Sequence, residues 1–327
     1  MTISLRSLAL TTALTTIALP AAAQTAWDMP TPYGDAVFHT QNIIQFADEV
    51  REATGGALDI TVHSAGSLFG HPEIKDAVRR GLVPIGEILL SRLANENPVF
   101  EIDSIPFLAD SYSDAQALWD ASRPTVESLL ADQGLTLLYA VPWPGQSLFL
   151  TEEVTDPAAL QGVTFRAYNT ATEQLADILG MVPTQVEAGD IPTAFATGRV
   201  SAMMTSPSTG VSSQAWDYTS VYVDVNAWLP KNVVFVNTEA FEALPEDQQA
   251  ALMEAAATAE ARGWEMSTSE TDVQIAELEN NGMTVVSPSE ELAAALSAAG
   301  ETMTAEWLER AGDDGAAIVG AFQAAVQ

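Results

Sequence analysis

The chain has 327 residues and a formal net charge of −32, with no cysteine and 47% hydrophobic residues. Without thiols it has no disulfides and no thiolate nucleophile, so stability must come from a core, and a chain this long has room for two domains. So negative a surface repels nucleic acid and anionic lipid headgroups, and any anionic ligand would need a local positive feature to hold it.

Arg6, the apolar stretch Leu8–Leu19 and Ala21-Ala22-Ala23 form the n-region, h-region and cleavage site of a secretory signal peptide over 1–23. Its removal leaves 44 acidic against 11 basic side chains, a net charge of −33. No later apolar run reaches the ~18–20 residues of a membrane span, so no stable membrane insertion is expected. Thr25–Pro30 reads as a strand leading into the loop Thr31-Pro32-Tyr33-Gly34. Phe38, Ile43, Ile44, Phe46, Ala47 and Val50 fall at helical spacing and predict a helix over Ala36–Thr54, stopped by Gly55-Gly56. Leu58–Val62 alternates as a strand, Ser64–Gly70 is a loop that carries Phe69, and Pro72 opens a helix ending near Gly81. An apolar run, Val83–Leu90, and a helix beyond Asp110 complete a first α/β set.

The second set starts with a strand at Leu135–Val141 and the loop Pro142-Trp143-Pro144-Gly145. Strands are predicted at Gln146–Leu150, Val163–Tyr168, Ala202–Met204 and Val233–Val236, the last clear one, with helices at Thr172–Leu179 and Ile191–Thr197. From Pro245, read as the first helical residue, the chain is alanine-rich and helical to its end. No flexible linker separates the sets, so crossing strands should join them. The expected fold is a two-domain α/β clamp with mixed, largely parallel sheets and a long C-terminal helix. Its domains would be 24–143 with 232–271, and 144–231 with 272–327.

No catalytic or metal constellation stands out. The histidines His39, His63 and His71 lack metal-ligand spacing and read as satisfied surface or loop residues; no G-x-S-x-G, G-x-G-x-x-G or Walker loop occurs. Acidic residues are too numerous for any pair to mark an exported hydrolase, so that alternative rests on nothing specific, and no cofactor is implied. Binding has better support. Arg166 is the single basic residue between Arg123 and Arg199, and it stands on an alternating strand. Buried there, its guanidinium needs an anion, either an internal Asp or Glu or one arriving from outside. Trp143, Tyr168, Trp216, Tyr218, Tyr222 and Trp228 gather in the same half of the chain, near loops and strand ends. A cavity walled by such rings around Arg166 would suit a carboxylate with an apolar or aromatic body.

Asp156-Pro157-Ala158-Ala159-Leu160-Gln161-Gly162-Val163-Thr164-Phe165-Arg166 resembles the "pDLkGlkiR" signature of the DctP-type solute-binding proteins of tripartite ATP-independent periplasmic (TRAP) transporters. Thr54-Gly55-Gly56, Asn95–Pro98 with Ile105–Leu108, and Ala194–Val200 resemble that family's "TgG", "neiP…lPFL" and "aLqtGvvDg" segments, in the family's order. The resemblance implies a periplasmic clamp, not an enzyme, that closes on an organic acid and presents it to the small and large subunits of a membrane permease, with one long helix spanning both domains. It puts the family's carboxylate-binding arginine at Arg166. Where many members carry a second arginine this chain has Gln146, and where many carry an asparagine it has Ser206. One charge fewer points to a monocarboxylate, with an aromatic or bulky apolar acid expected and a small hydroxy, keto or sugar acid, with or without a cation, as the alternative. Gln146, Thr205, Ser206 and Asn169 would complete the carboxylate's hydrogen bonds. Trp143, Tyr168, Trp216 and Trp228 would hold its body, and Tyr33 and Phe69 would face it from the first domain.

Overall fold

The computed structural model describes residues 24–326; the expected signal peptide lies outside them. The first α/β unit runs β1 (Thr25–Pro30), α1 (Phe38–Ala53), β2 (Leu58–His63), α2 (His71–Arg79), β3 (Ile85–Leu89), α3 (Tyr112–Ala131) and β4 (Leu135–Pro142). The apolar stripe of α1 is buried at Phe38, Ile43, Phe46, Ala47 and Val50, as its spacing predicts. β3 and β4 read as apolar runs because both their faces are covered, chiefly by helices.

The second unit runs β5 (Ser147–Leu150), β6 (Thr164–Ala167), α4 (Thr170–Ile178), β7 (Val182–Gln185), α5 (Ile191–Ala196), β8 (Ala202–Thr205), α6 (Pro207–Ser212) and β9 (Val221–Val223). The chain then returns to the first unit through β10 (Lys231–Asn237) and α7 (Thr238–Glu242), and continues as α8 (Glu246–Asn280), β11 (Thr284–Val286) and α9 (Glu290–Ala325). β1 and β2 pair with each other, β10 lies between β3 and β4, and the second unit has the order β11-β9-β5-β8-β6-β7. Four pairings are parallel and four antiparallel among the described residues, so the sheets are evenly mixed where a largely parallel arrangement was expected. The strands that return, β5 and β10, supply the antiparallel pairs.

Two segments cross between the units side by side. The Trp143 amide donates to the Pro230 carbonyl at 2.7 Å, Gln146 N–H to Trp228 at 2.9 Å and Ala227 N–H to Gln146 at 2.9 Å. A Cβ on Gly145 would sit 1.4 Å from Asn226 Oδ1, so this crossing needs glycine there. Helix α8 packs on α1 and β4 of the first unit and on α6 and β11 of the second, while α9 touches α3 and α4. Pro245 caps α8 instead of entering it. β11 follows the stretch expected to be the last strand; three residues with an exposed first position give no readable alternation. β7 and β9 were also silent in sequence. β7 contains Pro183 and lies at the sheet edge, where a missing N–H is tolerated.

Candidate functional site

The carboxyl ends of β6, β7 and β8 open on one side of the second sheet, the side that faces the crossing segments and the first unit. Open α/β sheets bind ligands at such strand ends. A cavity with about 430 Å³ of atom-free space, open mouth included, lies there. Arg166, Tyr168, Glu187, Ala188, Gln146, Thr205, Ser206 and Thr209 line it from the second unit. Tyr33, His71, Leu89 and Arg92 line it from the first, with Trp143 and Pro230 from the crossing segments.

Arg166 on β6 pairs with Met203 of β8 on one side and Thr184 of β7 on the other, which fixes its backbone inside the sheet. It is 4% exposed, and its Nε donates to the Val186 carbonyl at 3.0 Å. The guanidinium carbon lies 4.7 Å from the centre of the Tyr168 ring. No Asp or Glu forms an ion pair with it among the described residues. Burial lowers its pKa to about 10, so it remains cationic at neutral pH.

The other charges at the cavity satisfy one another. Arg92, from the first unit, donates to the Tyr168 carbonyl at 2.8 Å and pairs with Glu187 Oε1 at 2.8 Å, both in the second unit. The Leu89 N–H donates to His71 Nε2 at 3.1 Å, so the proton of a neutral ring sits on Nδ1, 3.5 Å from Glu187 Oε2. Burial pushes His71 down, keeping it neutral. Burial alone would raise Glu187, but the His71 hydrogen bond and the Arg92 and Arg166 charges outweigh it and hold the group low. Arg92 and Glu187 cancel, and Arg166 leaves the cavity with one net positive charge.

The expected polar partners are committed in different degrees. Tyr168 donates its hydroxyl to Gln146 Oε1 at 3.1 Å, and Gln146 Nε2 donates to the Pro144 carbonyl at 2.9 Å, leaving one amide hydrogen without a partner among the described residues. Burial raises Tyr168, so it stays protonated. The Thr205 hydroxyl lines the cavity without a hydrogen-bond partner among the described residues. Ser206 caps α6 by accepting from Thr209 N–H at 3.1 Å. Asn169 does not line the cavity. Its Oδ1 caps α4 and its Nδ2 donates to Ser91 at 2.8 Å, which uses up the amide.

Of the six rings expected around the ligand, three line the cavity. Trp143, Tyr168 and Tyr33 line the cavity, with Tyr33 and Trp143 edge-on at 5.0 Å. Trp228 is 1% exposed and stands behind Tyr168, donating to its hydroxyl at 3.3 Å. Trp216 packs on a separate apolar cluster around Phe149 and Tyr222, and Phe69 packs on the first unit's core. These three do not line the cavity. Sequence reading missed His71, Arg92 and Glu187. Their signal was absent, because lone charges in an acid-rich chain carry no period, and His71 was read as a surface or loop residue. His39 was read in the same way but is 2% exposed. No cluster of three His, Asp or Glu side chains is placed to hold a metal ion among the described residues.

Residues 35–310 match the family described as DctP, bacterial extracellular solute-binding protein, family 7. The chain belongs to that family. Its members are receptors and not enzymes. Similar solved structures include DctP7 of Bordetella pertussis, an extracytoplasmic solute receptor binding pyroglutamic acid. It is 44% identical, with a TM-score of 0.90 over 91% of this chain and 99% of that one. A marine metagenome TRAP solute-binding protein specific for pyroglutamate, in complex with co-purified pyroglutamate, is 43% identical. Its TM-score is 0.91 over 92% of this chain and 99% of that one. A solute-binding protein of Albidiferax ferrireducens is 23% identical over 221 residues; the match spans 66% of this chain and 65% of that relative's length. No helix among the described residues is long and apolar enough to cross a membrane.

Proposed function

We propose that this chain is the periplasmic receptor of a TRAP transporter for pyroglutamate, a five-membered lactam bearing one carboxylate, and that it delivers this acid to the membrane permease subunits. The observation that carries the reading is Arg166, a buried cation without a counter-ion among the described residues, in a cavity whose other charges cancel. A guanidinium in that state favours one carboxylate, bound through charge-assisted hydrogen bonds. Glu187 is held by Arg92 and His71, so no free anion awaits an α-ammonium group. The ligand should therefore carry one net negative charge and an uncharged nitrogen, which a lactam has. Gln146 and Thr205 offer the remaining donors, and Tyr33, Trp143 and Tyr168 offer aromatic lining for a small ring. Similar proteins that bind pyroglutamate support the choice.

A bulky aromatic acid has less support, since Trp216, Trp228 and Phe69 lie away from the cavity. We take 24–143 with 232–271 as one domain and 144–231 with 272–327 as the other, with 1–23 as the export signal. Calorimetric titration of protein freed of bound solute by unfolding and refolding tests the reading. Saturable binding of pyroglutamate at one site is expected. Absence of binding, or co-purification with an acid of another class identified by mass spectrometry, would sink it.

A further inference from the structure

Glu87 lies in the middle of β3, opposite Val234 of β10, and is 1% exposed. It does not line the cavity, and among the described residues no lysine or arginine pairs with it. A carboxylate buried this way is costly unless its hydrogen bonds are satisfied, so its surroundings carry information. Thr31 donates its hydroxyl to Oε2 at 2.5 Å and Asn232 donates Nδ2 to Oε1 at 2.9 Å. His39 Nδ1 stands 3.6 Å from Oε1, and burial keeps that ring neutral.

The direction of these bonds matters. The Trp143 indole N–H can only donate, so Asn232 turns its oxygen to Trp143 and its NH2 to Glu87, whose Oε1 accepts. Asn232 Oδ1 accepts from the Trp143 indole N–H at 2.9 Å and from the Tyr33 hydroxyl at 3.4 Å. A flipped Asn232 would set donor against donor. His39 packs on Trp143 with ring centres 4.3 Å apart. Trp143 and Tyr33 are two of the three aromatic residues that line the cavity, with Tyr168.

We propose that Glu87 is a positioning residue for the ligand cavity: it fixes the amide of Asn232, which in turn holds Trp143 and Tyr33 in the pose they take in the cavity wall. The inference rests on the reading of this cavity as the carboxylate site. Reversing the central hydrogen bond tests it. Asn232→Asp sets two carboxylates against each other, whereas the double variant Glu87→Gln/Asn232→Asp lets an amide at position 87 donate to a carboxylate at 232. The double variant thus again presents an acceptor to the indole.

Two measurements are made on protein labelled with 15N-tryptophan. One is pyroglutamate affinity by calorimetry, and the other is the Trp143 indole N–H signal, assigned by its loss in Trp143→Phe. Asn232→Asp should weaken binding at least tenfold and shift the Trp143 signal, leaving the other indoles in place. The double variant should return affinity to within threefold of the parent and restore the signal. Should Asn232→Asp fail to fold, Asn232→Leu supplies the loss, and recovery in the double variant decides alone. Unchanged binding in Asn232→Asp, or a double variant no better than it, overturns the inference. If the parent protein binds no pyroglutamate, the functional reading fails, and the indole signal still decides whether Glu87 positions Trp143.

Discussion

Arg166→Met separates a ligand anchor from a structural cation because the two roles predict opposite changes in stability. Methionine keeps the length and removes the charge. Burial lowers the arginine's pKa from 12.5 to about 10, so holding the cation in the protein costs about 3 kcal/mol at neutral pH. The sign follows from linkage: the folded pKa is depressed, so below it the charged form works against folding. Against that gain stand the loss of the bond to the Val186 carbonyl and of the contact with the Tyr168 ring, each worth about 1 kcal/mol. The ligand-free variant should therefore be as stable as the parent, or more stable by about 1 kcal/mol. A buried cation with an internal partner would instead lose about 3–5 kcal/mol. Binding should move the other way, weakening by about 2–5 kcal/mol as a buried charge pair loses one member. Urea unfolding without ligand and calorimetric titration with pyroglutamate give the two numbers. Unchanged affinity, or a loss of 3 kcal/mol or more in the ligand-free protein, would refute the argument.

The cavity's single net charge predicts that L-proline and L-glutamate, whose ammonium groups find no free anion, bind at least a hundredfold more weakly than pyroglutamate in competition calorimetry; equal binding would mean that Glu187 is available. Arg92→Ala removes the contacts that join the two units at the cavity mouth. Since Glu187 is 39% exposed, that pair is worth only about 1 kcal/mol, so stopped-flow should show release about five- to tenfold faster, with little change in the folding midpoint. Burial raises Glu87 to about 7, against the lowering effect of its Thr31 and Asn232 bonds. A raised acid stabilises the fold at low pH and loses that contribution as pH climbs from about 4.5 through 7. Between pH 5.5 and 7.5 Glu87 should account for about 2 kcal/mol of lost stability. Glu87→Gln should remove that part of the urea-derived pH profile; a parallel profile would contradict the assignment.

Much of the fold was legible because periodicity records burial. The α1 stripe, the alternation of β2 and the apolar runs of β3 and β4 each reflect which faces are covered. β9 and β11 have three residues apiece, too few for a period, and Pro183 disguised β7. Residues flagged by position at the ends of β6 and β8, on the crossing loops and on the loop after β1 were found lining the cavity: Arg166, Tyr168, Trp143, Gln146, Thr205, Ser206 and Tyr33. Hydrogen-bond commitment was not legible. Whether an asparagine caps a helix or faces a ligand depends on the residue three positions on and on its neighbours in space, and Asn169 is fully used by Thr172 and Ser91. Trp228 and Trp216 show the same limit for rings, since a tryptophan at a strand end can turn into the core as readily as into a cleft.

How a chain with a net charge of −32 attracts an anion is then a local question. Surface charges are screened beyond about 8–10 Å at physiological ionic strength, so the acidic exterior acts weakly on a carboxylate already inside the mouth. What it meets there is set by side chains within hydrogen-bond reach. Glu187 is the acid among the residues lining the cavity, and Arg92 and His71 occupy its two oxygens. Arg92 therefore has two effects: it draws the units together, and it prevents Glu187 from acting as the counter-ion of Arg166. Exchanging Arg92 for a neutral residue should free Glu187 to turn toward Arg166, lowering affinity beyond the loss of the bridging contacts. The double variant Arg92→Ala/Glu187→Gln discriminates. If Glu187 competes for Arg166, the double variant binds pyroglutamate more tightly than Arg92→Ala alone. If Arg92 only bridges the units, removing Glu187 as well changes nothing or weakens binding further.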